Sequence, residues 1–404
     1  MGVLSHIRVL DLSRILAGPW AGQMFADLGA DVIKVERPGQ GDDTRGWGPP
    51  YASDAAGNPS DAVYYLSCNR GKRSVTIDIT HPEGQRLVRE LAARSDVLLE
   101  NYKVDGLAKY GLDYHSLRQV NPRLVYCSIT GFGQTGPYSH RAGYDFLLQG
   151  MGGLMSITGH PDDAGGEPVK VGVAITDIFT GMYATVATMG ALAHRDRSGE
   201  GQHIDLALLD VQVATLANQA MNYLAGGMVP GRMGNAHPNI VPYQAFPTAD
   251  GHLILTVGND DQFRRFCEAA GRPELSAHPD YRTNGDRVRN RAVLIPELEA
   301  LFRTRTTDAW LAGLEAAGVP CGPVNTIDRV FADPQVVARE MRRDIADAAL
   351  GSVPTVANPI RYSATPINYE APPPRLGEHT EAVLGQILDM TPEAIQALRD
   401  QGVI

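Results

Sequence analysis

The chain has 404 residues, more than one compact core accommodates, so two domains are expected. Hydrophobic residues make up 43% and charged residues 20%, and 36 basic against 46 acidic side chains give a net charge of −10. That balance argues against a nucleic-acid surface, which must neutralise phosphates, and leaves room for a local basic cluster around a small phosphate-bearing ligand.

The first residues, Met-Gly-Val-Leu-Ser-His-Ile-Arg, lack a charged segment followed by an apolar run, so no signal peptide is expected. His6 stands where a myristoylation motif needs Ser or Thr, and no stretch reaches 18 uninterrupted apolar residues, so no membrane association is expected. Residues 7–12, 18–28 and 30–36 read as strand, helix and strand. The unit repeats with a strand at 73–79, a helix at 82–94 and a strand at 96–100, followed by a strand at 124–129. Strands alternating with helices predict an α/β fold with a doubly wound parallel (Rossmann-like) sheet, whose ligands bind beyond the carboxyl ends of the strands. Leu16-Ala17-Gly18-Pro19, at the first such end, does not carry the G-x-G-x-x-G of dinucleotide binders.

The β-branched run 171–176 reads as an extended segment delivering Asp177 to the start of a helix over 178–194. Gly181, Ala184, Ala187 and Gly190 recur at spacings of three and four, which lets another backbone approach that helix. An acid in this place is either an N-cap or a nucleophile or base whose ionised form the helix N-terminus favours. A second helix is predicted from Leu206 to about Leu224, and the Gly/Pro-rich run 226–238 reads as a linker. Beyond it, 243–246 and 252–257 form a hairpin around Asp250-Gly251, with helices at 262–270, 291–302 and 307–317. The charge-rich stretch 282–291 reads as a solvated face. The expected organisation is a large domain over 1–226, a smaller α+β domain over 227–325, and a return of 326–404 to the large domain. Cysteines 68, 127, 267 and 321 are scattered, with no zinc-like spacing, so no metal is expected, and a reducing, cytoplasmic setting fits.

Nine blocks in order resemble the family III CoA-transferases, the formyl-CoA transferase and carnitine CoA-transferase group. They include Leu10-Asp11-Leu12 with Ala17-Gly18-Pro19, the run 28–36, Gly41-Asp42-Asp43-Thr44-Arg45-Gly46-Trp47, Asn69-Arg70-Gly71-Lys72-Arg73-Ser74 and Glu100-Asn101-Tyr102. Gly143-Tyr144-Asp145, Gly172 to Asp177, Gly318-Val319-Pro320-Cys321-Gly322-Pro323 and Leu376-Gly377-Glu378-His379-Thr380 complete the set. The resemblance implies that Asp177 is the catalytic nucleophile and that coenzyme A is substrate, with no permanently bound cofactor. It implies CoA contacts from Leu16, Ala17, Arg37, Ile77, Asn101, Tyr102, Lys109, Arg141, Tyr144 and Asp145. It also implies an interlocked homodimer, with no nucleic-acid or membrane partner.

Tyr144 replaces the histidine of the related α-methylacyl-CoA racemases, and a phenol is a poor base at neutral pH, which favours transfer over racemisation. Gly258-Asn259-Asp260-Asp261-Gln262 stands where formyl-CoA transferases carry a glycine run, so an oxalate-type acceptor is disfavoured. The finer resemblance is to succinyl-CoA:glutarate-type dicarboxylate transferases. A second substrate carboxylate needs a cationic partner; Arg45, Arg141 and His237 are the candidates, with Gly258 and Asn259 as further substrate contacts.

Overall fold

The computed structural model describes residues 2–54 and 56–404. The chain divides into a larger unit, Met1–Leu154, Val171–Ala220 and Pro334–Ile404, and a smaller one, Met155–Lys170 and Met221–Asp333.

Six parallel strands form the centre of the larger unit: β1 (Arg8–Asp11), β2 (Asp31–Glu36), β3 (Lys72–Thr76), β4 (Val97–Glu100), β5 (Val125–Thr130) and β6 (His203–Ala207). Their order across the sheet is β3-β2-β1-β4-β5-β6. Strand side chains alternate between two faces, and here both faces are covered. Leu10, Ile33, Val75 and Leu98 pack with Leu87, Val88 and Leu91 of α2 (Pro82–Ala93) and with Val383 and Leu384 of the helix Thr380–Leu388. Val9, Val32, Val97, Leu99, Val125, Cys127 and Ile129 face the other way, onto Ala21 and Phe25 of α1 (Ala17–Asp27) and Ala184, Ala191 and Leu192 of the long helix Ile175–Ser198. From β1 the chain winds outward through β2 and β3, then returns to continue from β4 on β1's other side. The crevice beyond β1 and β4 is therefore the topological switch point, the place where such sheets bind ligands.

The structure departs from expectation in three places here. β6 is an additional strand: His203-Ile204-Asp205-Leu206-Ala207 pairs along β5 from Tyr126↔His203 to Thr130↔Ala207. The helix predicted from Leu206 therefore starts at Leu208, and it breaks into Leu208–Ala214 and Ala217–Leu224. No strand forms over 171–176; the helix begins at Ile175, and the Val171 N–H donates to Gln149 Oε1 (2.9 Å). β-Branched residues favour strands only where a sheet edge is free to pair with them.

In the smaller unit Tyr243–Pro247 and His252–Thr256 form the expected hairpin, from His252↔Pro247 to Thr256↔Tyr243, and Cys321–Pro323 adds a third antiparallel strand. Helices Asp260–Ala269, Arg291–Phe302 and Thr307–Ala316 close a core of Phe246, Leu253, Phe263, Phe266, Leu298, Phe302 and Trp310. The stretch 282–291 is not wholly a solvated face. Arg287 is fully buried, donating to the Val241 and Tyr281 carbonyls (2.7 and 3.0 Å) and to Asp260 Oδ1 (2.8 Å), over the Phe263 ring. No described helix is long and apolar enough to cross a membrane.

Candidate active site

A cleft of about 940 Å³ opens at the carboxyl ends of the strands in the larger unit. Its walls combine the first turn after β1 (Arg14, Ile15, Leu16, Ala17), Arg37 after β2, Ile77 after β3, Asn101 to Val104 after β4, and Thr130 and Gly131 at the end of β5. Lys109, Arg141, Tyr144 and Asp177 line it as well. Leu16, Ala17, Arg37, Ile77, Asn101, Tyr102, Lys109, Arg141, Tyr144 and Asp177 are thus brought to one cavity from stretches far apart in sequence. Arg14 and Lys103 also line it and are not singled out by the sequence, although their places after strand ends were the available signal. Arg14, Arg37, Lys103, Lys109 and Arg141 bring cations to the cleft, where Glu36, Asp42, Asp43, Asp78 and Asp177 also line it and Arg14 pairs with Asp43 at 2.9 Å. Arg141 is braced by aromatic faces, its guanidinium carbon 4.6 Å from the Tyr138 ring centre and 5.1 Å from that of Phe132.

Asp177 lies in the first turn of its helix, behind an N-cap at Ala174. It does not cap that helix, because Asp145 takes the role instead of lining the cleft: Asp145 Oδ1 accepts the N–H groups of Thr176 (2.8 Å) and Asp177 (3.4 Å). The Ile178 N–H is already engaged by the Ala174 carbonyl (3.1 Å). Asp145 Oδ2 accepts from Gln149 (2.6 Å), so both of its oxygens are held. The helix end thus stabilises Asp145 and leaves the Asp177 carboxylate without those donors, which corrects the expectation that the helix keeps Asp177 ionised. Burial and then the neighbouring Asp145 charge push the Asp177 carboxyl from 3.8 up to about 7. Tyr64 lies within electrical reach of this pair; burial, and next Asp177, raise its phenol to about 12, and Trp47 meets it edge-on at 5.3 Å.

Gly181, one turn beyond Asp177, sets the distance to the opposite wall. A Cβ there would stand 2.7 Å from the Ala17 carbonyl oxygen and 3.0 Å from Trp20, so only glycine lets this helix cross the start of α1 so closely. Asp177, one turn before that crossing, lines the same cleft as Leu16 and Ala17.

Arg45, His237, Gly258 and Asn259 are not among the residues that line this cleft. Arg45 is buried and committed: it grips Glu36 through Nε (2.9 Å) and Nη2 (2.7 Å), Asp61 through Nη1 (2.7 Å), and reaches Tyr65 Oη and the Pro374 carbonyl. His237, Gly258 and Asn259 belong to the smaller unit. There Asn259 caps the helix Asp260–Ala269 by accepting from the Gln262 N–H (2.9 Å), and the Gly258 N–H donates to Gln262 Oε1 (2.7 Å). His237 Nδ1 accepts from the Asn239 N–H (3.1 Å), and burial and then Arg291 hold the imidazole below its ordinary value, which disfavours a cationic role.

A doubly wound sheet whose switch-point cleft offers arginine and lysine side chains beside a half-buried carboxylate of raised basicity fits an acyl-transfer site for an anionic carrier. The sequence profile of CoA-transferase family III matches residues 4–380, and the chain belongs to that family. The succinate–glutarate CoA-transferase of Agrobacterium fabrum is 56% identical over 389 residues, covering 95% of each chain. The succinyl-CoA:glutarate CoA-transferase of Mus musculus is 46% identical over 404 residues, covering all of this chain and 91% of the other. Among solved structures, a CAIB/BAIF family protein from Brucella suis superimposes with a TM-score of 0.84 at 52% identity, covering 96% of this chain and all of the other.

Proposed function

We propose that this enzyme moves CoA from an acyl-CoA donor, succinyl-CoA first among them, to a short dicarboxylic acid of the glutarate kind, with Asp177 as nucleophile. The observation that carries the mechanism is the Asp177 carboxylate itself: it lines the cleft, no cation among the described residues offsets it, and its helix-end donors are taken by Asp145. The acids are those in the names of the Agrobacterium and mouse relatives.

Ionised Asp177 attacks the thioester carbonyl; the C–S bond breaks, leaving a mixed anhydride and CoA thiolate. The thiolate then attacks the aspartyl carbonyl, releasing the donor acid and forming an aspartyl-CoA thioester. The acceptor carboxylate attacks that thioester, giving a second anhydride and thiolate. Thiolate attack on the acceptor's acyl carbon delivers the new acyl-CoA and restores the Asp177 carboxylate. No net proton moves, so no general base is required. A carboxylate of raised basicity is a stronger nucleophile than a salt-bridged one, and partial burial limits hydrolysis of the activated aspartyl group. Arg37, Lys103 and Lys109 are cations available to the phosphates of CoA, Arg14 being paired with Asp43 (2.9 Å), and Arg141 is the one available to the acceptor's second carboxylate.

The raised Asp177 carboxyl also suits a base removing an α-proton from an acyl-CoA, which is the second reading. A panel of free acids incubated with succinyl-CoA, with products weighed by mass spectrometry, separates the two. Transfer that survives Asp177→Ala overturns the nucleophile; α-deuterium uptake with no acceptor acid present supports the base. Phe179, Met182, Tyr183, Val186 (64% exposed) and Met189 leave an apolar face on the Asp177 helix, beside exposed Phe146 and Leu147. A face of that size supports a homodimer, tested by light scattering. The four unpaired cysteines accord with work in the reducing cytoplasm.

A further inference from the structure

The turn that follows β1 carries a side chain where glycine would be expected. Ile15 has φ +75°, a left-handed conformation that a β-branched residue adopts only under constraint, and it lines the cleft between Arg14 and Leu16. The constraint is visible atom by atom. The Ser13 N–H donates to Asp11 Oδ1 (3.0 Å), and the Ser13 carbonyl accepts from Lys34 Nζ (2.9 Å). The Arg14 N–H donates to Asn101 Oδ1 (2.9 Å), and its carbonyl accepts from Asn101 Nδ2 (2.7 Å). The Ile15 N–H donates to both oxygens of Asp42 (3.2 and 3.3 Å), while Cys68 Sγ reaches the Ile15 carbonyl (3.7 Å). Every backbone polar group of the three residues is therefore held by a side chain.

Two of these holds are one unit. Lys34 and Asp42 form an ion pair at 2.8 Å with neither side chain exposed, and between them they grip the turn on both sides of Arg14. Asp42 in turn is fixed by the Thr44 N–H (3.0 Å) and hydroxyl (2.8 Å). We propose that the Lys34–Asp42 pair is a positioning device for coenzyme A: it holds the left-handed turn at Ile15 in its binding shape before the ligand arrives. The turn leads directly into Leu16 and Ala17, which share the cleft with Asp177, so its shape sets where the thioester meets the nucleophile. Preorganisation removes the entropy loss of ordering a loop from the binding step, and strain at one residue is tolerated because many contacts over-determine it. Neither residue needs to touch the acyl group; both act through the Ser13–Ile15 backbone. The role deepens the CoA-transferase reading and rests on it for the identity of the ligand.

Coenzyme A alone is the probe, and its dissociation constant, measured calorimetrically on the full chain, is the first readout. Asp42→Asn keeps the size and loses the charge that Lys34 needs; it is expected to weaken CoA binding at least tenfold in a protein that still unfolds cooperatively. Ile15→Gly removes the strain, so in the I15G background the same D42N change is expected to weaken binding less than threefold. An unchanged dissociation constant in folded D42N overturns the proposal. So does an equal loss in both backgrounds, which would mean that Asp42 acts on the ligand directly. Hydrogen exchange on the ligand-free wild type is independent of any variant: the Ile15 and Arg14 amides are expected to be protected, and exchange at the rate of an open loop overturns the proposal. Wild-type protein that binds CoA yet transfers it to no acid refutes the proposed reaction and leaves the positioning role standing; wild-type protein that does not bind CoA refutes both.

Discussion

Two groups of carboxylates withdrawn wholly or partly from solvent lie in the larger unit, and their surroundings act on them oppositely. In the floor beneath the first turn, Asp11, Glu36 and Asp42 each have a cation in contact: Lys72 at 2.9 Å, Arg45 at 2.7 Å and Lys34 at 2.8 Å. Burial alone would push all three carboxyls up, but those partners and their hydrogen bonds bring each below its ordinary value, Asp42 to about 2. Asp177 has a like charge beside it and no cation among the described residues, and it rises to about 7. Glu100, at the end of β4, also rises to about 7 through burial, against which Ser128 and the Tyr102 N–H are too weak a counterweight. Pairing produces a rigid platform, and the absence of pairing produces a carboxylate with reactivity to spare.

The largest way to break the comparison is to delete the unpaired member. Asp177→Ala is expected to lower the transfer rate by roughly 10³-fold or more without unfolding the protein, measured as new acyl-CoA by mass. Deleting a cation from the floor acts on the other observable. Arg45→Met leaves Glu36 and Asp61 without their partner, and a buried pair broken from one side costs about 3–5 kcal/mol, read from urea unfolding. A stable R45M protein with a raised KM for the acceptor acid alone would instead return Arg45 to the substrate.

Asp177→Asn sharpens the contrast, since one change should remove activity and add stability. A carboxyl whose folded value lies above its unfolded one destabilises the fold once it must ionise. The penalty is absent below about pH 4, grows as pH rises toward 7, and is constant above that. At pH 8 the variant is expected to be more stable than wild type by up to about 4 kcal/mol, a difference that should vanish at about pH 3.5. A variant less stable at pH 8 would show that Asp177 has a favourable partner in the folded state.

Much of this arrangement is legible in the sequence, and what is missing has a common cause. The strands β1 to β5 declare themselves by apolar runs between turn signals, because local patterning decides a strand that is buried on both faces. Asp177 stands out as the candidate acid, and most of the other cleft residues follow from matched blocks after strand ends. β6 escapes notice because a short edge strand of mixed polarity abuts a helix without a break. The cap on the Asp177 helix cannot be read locally, for it comes from Asp145, 32 residues earlier, through a loop that folds back on Gln149. Arg287 defeats a local reading for the same reason: a charged run says nothing of which member meets buried carbonyls from distant loops. Periodicity reports which face is apolar, whereas the partner of a polar group is set by tertiary contacts.

The smallest expected effect discriminates most finely, because two carboxyls, Asp177 and Glu100, both titrate near neutrality. Transfer by ionised Asp177 predicts that kcat/KM rises with pH along a limb centred near pH 7. Ionisation of Glu100 could draw a similar limb, since it holds the Tyr102 N–H in the wall of the cleft. Asp145 separates them: its charge acts on Asp177 and does not figure at Glu100, whose rise comes from burial and is opposed by its two hydrogen bonds. Asp145→Asn keeps an oxygen to accept the Thr176 N–H and removes the negative charge. The limb should then move to lower pH, stopping above the ordinary carboxyl value because burial, the larger cause, remains. A limb that does not move in D145N would assign it to Glu100, and the raised basicity of Asp177 would then have no part in setting the rate.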